Sequence, residues 1–364
     1  MSPVVLVIGG GYGGIAAAKA LDDTAQVILV EPGETFVHHV AALRALVDPH
    51  WAERVFLPYD GLLERGEVRR DRVTAVSATD HTVTAALASG ERLEADFAIL
   101  ATGSTPPFPA RIDQADSASA RRRLRESREA LAQAGTVLLL GAGPVGLELA
   151  GEIRAAWPDT AVTVVDPVPD ILAGRHPEPF RAELRRQLRE LDVHLLLGAP
   201  LAAEPPTPAG ELARFTATTT DGRTLSADLW YRCHGGAPAT DYLRGDLAAA
   251  RRPDGHLTVT EELRIPGLPH VFAIGDITTV PETKLAKAAE LHAEVAAANI
   301  RAEITQTGDP RVYTPGPPGM SLPLGPTGGA SYNAALGVLG ADRTAELKGA
   351  HLRLDLYRAR LGLP

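Results

Sequence analysis

Two short stretches of the chain hold residues whose types and spacing suit one chemistry, the gripping of a pyrophosphate. Gly9-Gly10-Gly11-Tyr12-Gly13-Gly14 contains G-x-G-x-x-G at Gly9, Gly11 and Gly14. The first glycine permits a tight turn, the second lets the backbone approach the phosphates, and the third lets helix and strand pack closely. Amide N–H groups that open the next helix then face the anion at the positive end of the helix dipole. Glu31 follows at the distance where an acid accepts hydrogen bonds from ribose hydroxyls. Gly141-Ala142-Gly143-Pro144-Val145-Gly146 repeats the arrangement, with Asp166 as its acid. A carboxylate there repels a 2′-phosphate and favours NADH over NADPH, a preference that Arg175 could soften. Two dinucleotides in one chain imply hydride passing from one to the other, and flavin is the usual acceptor.

The elements around these loops must place them. Residues 4–8, VVLVI, form a short apolar β-branched run of the kind buried in a parallel sheet. A helix over 15–21 and a strand over 27–30 complete a βαβ unit. Residues 72–100 read as a small antiparallel excursion that returns to a buried strand at AILATG. After Pro106, Pro107 and Pro109 the pattern restarts: a helix at about 119–134, the strand TVLLL, the second glycine turn and its helix, and the strand AVTVVD. A helix over 179–191, a strand over 193–197 and a polar meander lead to LWYRCHG at 229–235. A third buried strand, VFAIGD at 271–276, precedes an Ala-rich helix at about 284–304. The last sixty residues open on a Gly/Pro-rich segment and end in a strand or helix at about 346–360. The fold class expected is α/β, with two Rossmann-like dinucleotide-binding domains, one inserted in the other, and a small C-terminal α+β segment. The boundaries are 1–110 with 236–304 for the first dinucleotide unit, 111–235 for the second, and 305–364 for the C-terminal segment.

Composition narrows the chemistry. The chain has 364 residues, too many for one ordinary core, and 45% apolar and 22% charged residues suit a globular protein. Its 35 glycines and 29 prolines fall largely at strand-to-helix turns. Cys233 is the one cysteine, so an intramolecular disulfide and a cysteine-rich metal cluster are both excluded. A net charge of −9 argues against general nucleic-acid binding. The basic cluster Arg121, Arg122, Arg123, Arg125 and Arg128 shares its helix with Glu126 and Glu129 and reads as a solvated face. No apolar run approaches the roughly 18 residues of a membrane span. The amino terminus enters the first strand at once, and Ser2 stands where myristoylation needs glycine. A cytoplasmic protein, at most peripheral to a membrane, is expected.

VIGGGYGGIAAA, FVHHVAALRA at 36–45, ILATGSTPPFP at 99–109, GPVGLELAGEI at 143–153, VFAIGD and LHAEVAAANI at 291–300 together resemble the FAD-dependent pyridine-nucleotide oxidoreductase superfamily. The branch most similar is the apoptosis-inducing-factor-like, ferroptosis-suppressor type of NAD(P)H:quinone oxidoreductases. The resemblance covers the first 300 residues well and the tail loosely. It implies FAD contacts at Gly9 to Gly13, at Arg44 against the diphosphate, at Val73 through its backbone to adenine, and at Gly275-Asp276. Asp276 would accept from the ribityl chain, and the helix beginning near Lys284 would aim its amino end at the flavin's pyrimidine edge. Ala101-Thr102-Gly103 resembles the family's crossing between its two domains. Glu148 matches a carboxylate facing the nicotinamide, and Lys348 a lysine near flavin and quinone.

The departures are informative. Disulfide-reducing relatives carry a cysteine pair where this chain has HHVAALRA, and sulfide:quinone enzymes need two cysteines, so both activities are excluded. Lys287-Ala288-Ala289-Glu290 replaces what is commonly aromatic, His or Gly, and His234 stands where Asn is usual, which leaves the electron acceptor open. Cys233 reads as a small core residue, and adjacent His38 and His39 cannot point the same way at a metal, although one could pack near the flavin. Ser104 and Thr105 resemble no nucleophile elbow. The leading function is FAD-dependent transfer of electrons from NAD(P)H to a quinone-like small acceptor, by a monomer or homodimer. Two others stand beside it: reduction of a ferredoxin, a rubredoxin or a pathway-specific substrate, and a redox-controlled interaction protein.

Overall fold

Val4–Ile8 alternates its apolar side chains between two faces, and both faces are covered. The computed structural model describes residues 2–364. In it this strand lies inside a six-stranded sheet ordered Arg264–Ile265, Leu268–Ala273, Phe97–Leu100, Val4–Ile8, Gln26–Glu31, Glu67–Arg70. All neighbours run parallel except the first pair. Val5 and Val7 pack under the helices Tyr12–Leu21 and Ala286–Thr305 with Ile15, Leu21, Ala296 and Ile300. Leu6 and Ile8 face the other way, into a core with Val76, Ala85 and Leu93 of a three-stranded antiparallel layer, Val73–Ala78, Val83–Leu87 and Arg92–Ala95. Period-two alternation has sorted one strand into two cores.

The second sheet repeats this plan with four parallel strands, ordered Val193–Leu197, Ala161–Asp166, Thr136–Leu140, Leu229–Arg232. Val137 and Leu139 join the helix-side core, which includes the helices Ser117–Gln133 and Pro144–Ala156. Leu138 and Leu140 meet Phe215, Ala217 and Trp230 beneath the hairpin Phe215–Thr218/Thr224–Ala227.

The last sixty residues are more regular than their Gly/Pro content suggests. Gly319–Leu324, Gly328–Asn333 and Gly337–Leu339 form an antiparallel meander. Its first two strands lie on the second sheet's helices: Gly151 would press a Cβ against Leu324, and Gln187 grips the amide and carbonyl of Gly329 at 2.6 and 2.8 Å. The chain then takes a widened π turn over Ala345–Gly349, breaks at Leu352 and Arg353, both left-handed, and forms the helix Leu354–Arg360. That helix returns to the first sheet's side, where Tyr357 packs on Tyr12 and Phe36.

The glycine loops explain themselves sterically. A Cβ on Gly14 would overlap the carbonyl of Gly9, and one on Gly146 that of Gly141. Around Gly11 and Gly143 no protein atom lies within 4 Å of such a Cβ, and both sit at ordinary φ values of −74° and −79°. The fold itself forbids a side chain at the third glycine and leaves room for one at the second. Gly14→Ala should therefore destabilise the apoprotein by about 1–3 kcal/mol. Gly11→Ala should leave the apoprotein's melting temperature unchanged while stripping flavin from the purified protein, which the ratio of visible to ultraviolet absorbance checks.

Candidate functional site

The carboxyl ends of the first sheet's strands assemble one cradle. Gly9 turns at φ +102°, with its amide on Val30 O at 2.9 Å, and a Cβ there would sit 2.6 Å from Ala101 O. The Glu31 carboxylate clamps the loop from below, accepting from Gly10 N at 2.7 Å and Gly33 N at 2.8 Å. Tyr59 donates its hydroxyl to Gly10 O at 2.9 Å from above. The helix Tyr12–Leu21 has no side-chain cap, and its first amide to find a carbonyl is that of Ile15, on Gly11 O at 3.0 Å. The amides of Tyr12, Gly13 and Gly14 thus have no carbonyl partner, which is the arrangement a helix start offers an anion.

Other residues of this edge line up with it. Val73 begins its strand two residues after Asp71, whose amide donates to Glu31 O at 3.1 Å. Ala101 hangs its amide on Ile8 O at 2.8 Å. Thr102 donates its hydroxyl to Ala239 O at 2.6 Å, and Gly103, at φ +65°, accepts from Ala239 N at 2.9 Å. Ile274 N reaches Leu100 O at 3.0 Å, Gly275 turns at φ +70°, and Asp276 accepts from the Ser104 hydroxyl at Oδ2 (2.7 Å), leaving Oδ1 for a ligand.

The second cradle repeats the first bond for bond. Gly141 turns at φ +118° with its amide on Val165 O at 2.8 Å. Asp166 accepts from Ala142 N at 2.6 Å and Val168 N at 2.8 Å, the same clamp that Glu31 makes. Cys233 hangs its amide on Leu140 O at 2.8 Å, taking the place of Ala101. Burial pushes its thiol up to about 12, so it carries no thiolate at neutral pH. Arg175 and His234 are exposed at the rim of this cradle.

Four charges meet at a junction where the helix Ala42–Val47, the helix Pro144–Ala156 and the π turn come together. The helix Pro144–Ala156 turns Glu148 and Glu152, four residues apart, toward the rest of the chain. Lys348, on the π turn, donates to Glu148 Oε1 at 2.7 Å and to Ser321 O at 3.2 Å. Glu152 pairs with the Arg44 guanidinium, each side chain about 5% exposed, and Arg44 Nη2 donates to Gly349 O at 3.1 Å. Burial pushes the Glu152 carboxyl up, Arg44 opposes this, and Glu148 adds to it. Arg44, expected against the FAD diphosphate, is held by Glu152 through Nε, because either charge left alone at this depth would be far costlier than the pair.

An aromatic cluster adjoins the junction. His38 Nε2 lies 2.8 Å from Leu352 O, which can only accept, so the proton is on Nε2 and Nδ1 accepts from the Tyr12 hydroxyl at 3.2 Å. Tyr12 itself accepts from Val40 N at 2.8 Å. Tyr357 donates to Glu290 at 2.7 Å, so the unusual Glu290 anchors the C-terminal helix. The arginines of the helix Ser117–Gln133 form a solvated, paired face, with Arg121 on Glu53 and Arg123 on Asp113. Glu152, Tyr59, Glu282, His292 and Tyr313 were not singled out in the sequence. The i, i+4 acids in an otherwise apolar helix were the one available signal.

With this geometry in place, the likenesses are direct. The family model described as pyridine nucleotide-disulphide oxidoreductase matches residues 3–293. Ferroptosis suppressor protein 1 of Mus musculus is 31% identical over 326 residues, covering 88% of this chain and 86% of that protein. Apoptosis-inducing factor homolog B of Dictyostelium discoideum is 28% identical over 379 residues, covering 99% and 97%. The sulfide:quinone oxidoreductase structure from Aquifex aeolicus shares the fold over all of this chain and 92% of its own, with a TM-score of 0.75 at 17% identity. The chain belongs to the pyridine nucleotide-disulphide oxidoreductase family, in its apoptosis-inducing-factor-like, ferroptosis-suppressor-type branch. It is a flavoprotein oxidoreductase with two Rossmann-like dinucleotide-binding folds, and its cofactors are FAD and NAD(P)H. No helix among the described residues is long and apolar enough to cross a membrane.

Two expectations follow. Glu152→Leu, which strands buried Arg44, should lower stability by about 3–5 kcal/mol, whereas the double variant with Arg44→Met should recover most of it; denaturant melts decide. Burial holds the His38 imidazole down to about 4, below its ordinary 6.5. The unfolded chain therefore binds the extra proton, and this contribution, present above pH 6.5, is lost as pH falls toward 4. It amounts to about 3 kcal/mol at most, and His38→Asn should flatten that limb of the stability–pH curve.

Proposed function

We propose that the protein takes hydride from NADH, in preference to NADPH, and passes the electrons to a quinone-like small acceptor. The observation that carries this reading is the Lys348–Glu148 pair at that junction, in a chain whose one thiol is buried and held protonated. FAD, when bound, supplies the relay between a two-electron donor and the acceptor. The rest falls to the chain's own groups. Gly9 to Gly14, with Glu31 and Val73, would hold the adenosine diphosphate part, and Ala101 to Gly103, Gly275 and Asp276 the other half. Gly141, Gly143, Gly146 and Asp166 would hold the nicotinamide dinucleotide, and Asp166, fixed by two amides, disfavours a 2′-phosphate. Residues 1–110 with 236–304 would form the FAD unit and 111–235 the nicotinamide unit.

At the junction, Lys348 sets an ammonium where the C-terminal segment meets the second helix, and Glu148 keeps it aimed. A fixed positive charge there stabilises the negative charge that accumulates on reduction. The uncapped helix Ala286–Thr305 adds its positive end on the same sheet edge. With no accessible thiol, a disulfide or sulfide route is disfavoured, and a small acceptor needs none.

Steady-state NADH oxidation with a panel of quinones should exceed the oxygen background by at least about tenfold. A panel that never exceeds oxygen, alongside a ferredoxin that is reduced, would overturn the reading. Lys348→Met should cut kcat by roughly 10²-fold with full flavin content. Asp166→Ala should narrow the preference for NADH by about tenfold.

A further inference from the structure

The helix Ala286–Thr305 carries a histidine that the proposed chemistry does not use. His292 is 1% exposed, yet both of its ring nitrogens are engaged. Nδ1 accepts the amide N–H of Gly275 at 3.0 Å. Nε2 lies 2.7 Å from Glu282 Oε1, and the Tyr313 hydroxyl donates to Glu282 Oε2 at 2.7 Å. The Tyr313 ring also packs edge-on against the imidazole, with centroids 4.3 Å apart.

These contacts allow one arrangement of protons. A backbone amide only donates, so Nδ1 must be the bare nitrogen, and the ring proton must lie on Nε2, where Glu282 receives it. Glu282 therefore sets the tautomer, and Tyr313 sets Glu282, as outer groups do for a metal-bound histidine. The outer end of this chain is itself anchored. Asn299 brackets Arg311 with bonds of 2.7 and 2.9 Å, and Tyr313 N donates to Glu261 O at 2.7 Å. Lys284 closes the intervening loop by donating to Thr278 O and Val280 O. At the inner end, the residue after Gly275 is Asp276, held from its other side by Ser104. A histidine kept only to fill the core would need neither the carboxylate nor the amide.

We propose that His292 is a positioning residue for the flavin site: its bare Nδ1 pins the Gly275 amide and so fixes the Asp276 carboxylate, and Glu282 with Tyr313 selects the tautomer that can do this. The inference rests on the reading that Asp276 holds FAD. It also links the segment that leaves the last long helix to the cofactor turn, because Tyr313 lies in the former and Gly275 in the latter.

The two halves of the imidazole can be replaced separately. An asparagine amide oxygen reaches the place of Nδ1, and a glutamine amide nitrogen reaches that of Nε2. His292→Asn therefore keeps the acceptor for Gly275, whereas His292→Gln keeps the donor to Glu282 and leaves the Gly275 amide unpaired. FAD titration of the apoproteins should show His292→Asn within about threefold of the parent and His292→Gln weaker by about tenfold or more. The visible flavin band and midpoint potential of the holoprotein should move only in the glutamine variant. Equal losses in both variants, at equal apoprotein melting temperatures, would reduce His292 to a packing residue. Unchanged affinity in both would equally overturn the proposal. Asp276→Ala separates the two layers. If it leaves FAD affinity unchanged, the reading of Asp276 fails; if it weakens binding while His292→Gln binds like the parent, the positioning role alone fails.

Discussion

The buried pair between Arg44 and Glu152 is the constraint around which the rest of the chain is disposed. Dehydrating two such charges costs several kcal/mol each, and their attraction offsets this only when the geometry is good and the remaining donors are satisfied. Here Arg44 comes from the short helix Ala42–Val47 and Glu152 from the helix Pro144–Ala156, and one further guanidinium donor, Nη2, goes to Gly349 of the C-terminal turn. One buried cluster therefore fixes three distant parts of the sequence against one another. Its value is less in net stability than in specificity, because any other docking would strand a charge. Lys348 and Glu148 lie one helical turn away, so the site at the junction inherits its alignment from a contact that itself does no chemistry.

The two cradles show how few interactions a dinucleotide loop needs. In each, the first glycine is left-handed, the third has no room for a side chain, and the strand-end acid is locked by two amides. The correspondence runs further, to the strand that follows: Ala101-Thr102-Gly103 in one and Cys233-His234-Gly235 in the other, with Gly103 at φ +65° and Gly235 at +79°. The surroundings differ. The first cradle has the Tyr59 hydroxyl on Gly10 O and is flanked by Asp276, whereas Arg175 and His234 near the second are exposed.

What the sequence made legible follows from the range over which each signal acts. The glycine loops, their acids and the buried strands are local patterns, and each falls where the structure has it. Glu148 and Lys348, 200 positions apart, meet in one ion pair, although nothing in their spacing says so. The pairing of Arg44 is equally invisible, because its partner Glu152 lies 108 residues away. The terminal meander was hidden by glycines and Pro323, which read as loop. Its pairing depends on backbone contact with Gly151 and Gln187, residues far off in the sequence. Glu282, His292 and Tyr313 form a network whose meaning lies in who faces whom, and composition carries no trace of that.

Tyr12 shows why cofactor and acceptor chemistry belong to one unit rather than two. It is the first residue of the helix that opens from the first glycine loop, yet its ring lies 4.8 Å from that of Tyr357 and its hydroxyl meets His38. His38 in turn holds the carbonyl of Leu352, at the break between the π turn that carries Lys348 and the last helix. A shift of the C-terminal helix would therefore be felt at the first turn of the phosphate-binding helix, and a shift there at Lys348. Packed side chains of this kind have few alternative arrangements and transmit displacement rather than absorb it. The segment that resembles the family least is thus packed against the first turn of the helix Tyr12–Leu21, and it carries the Lys348–Glu148 pair.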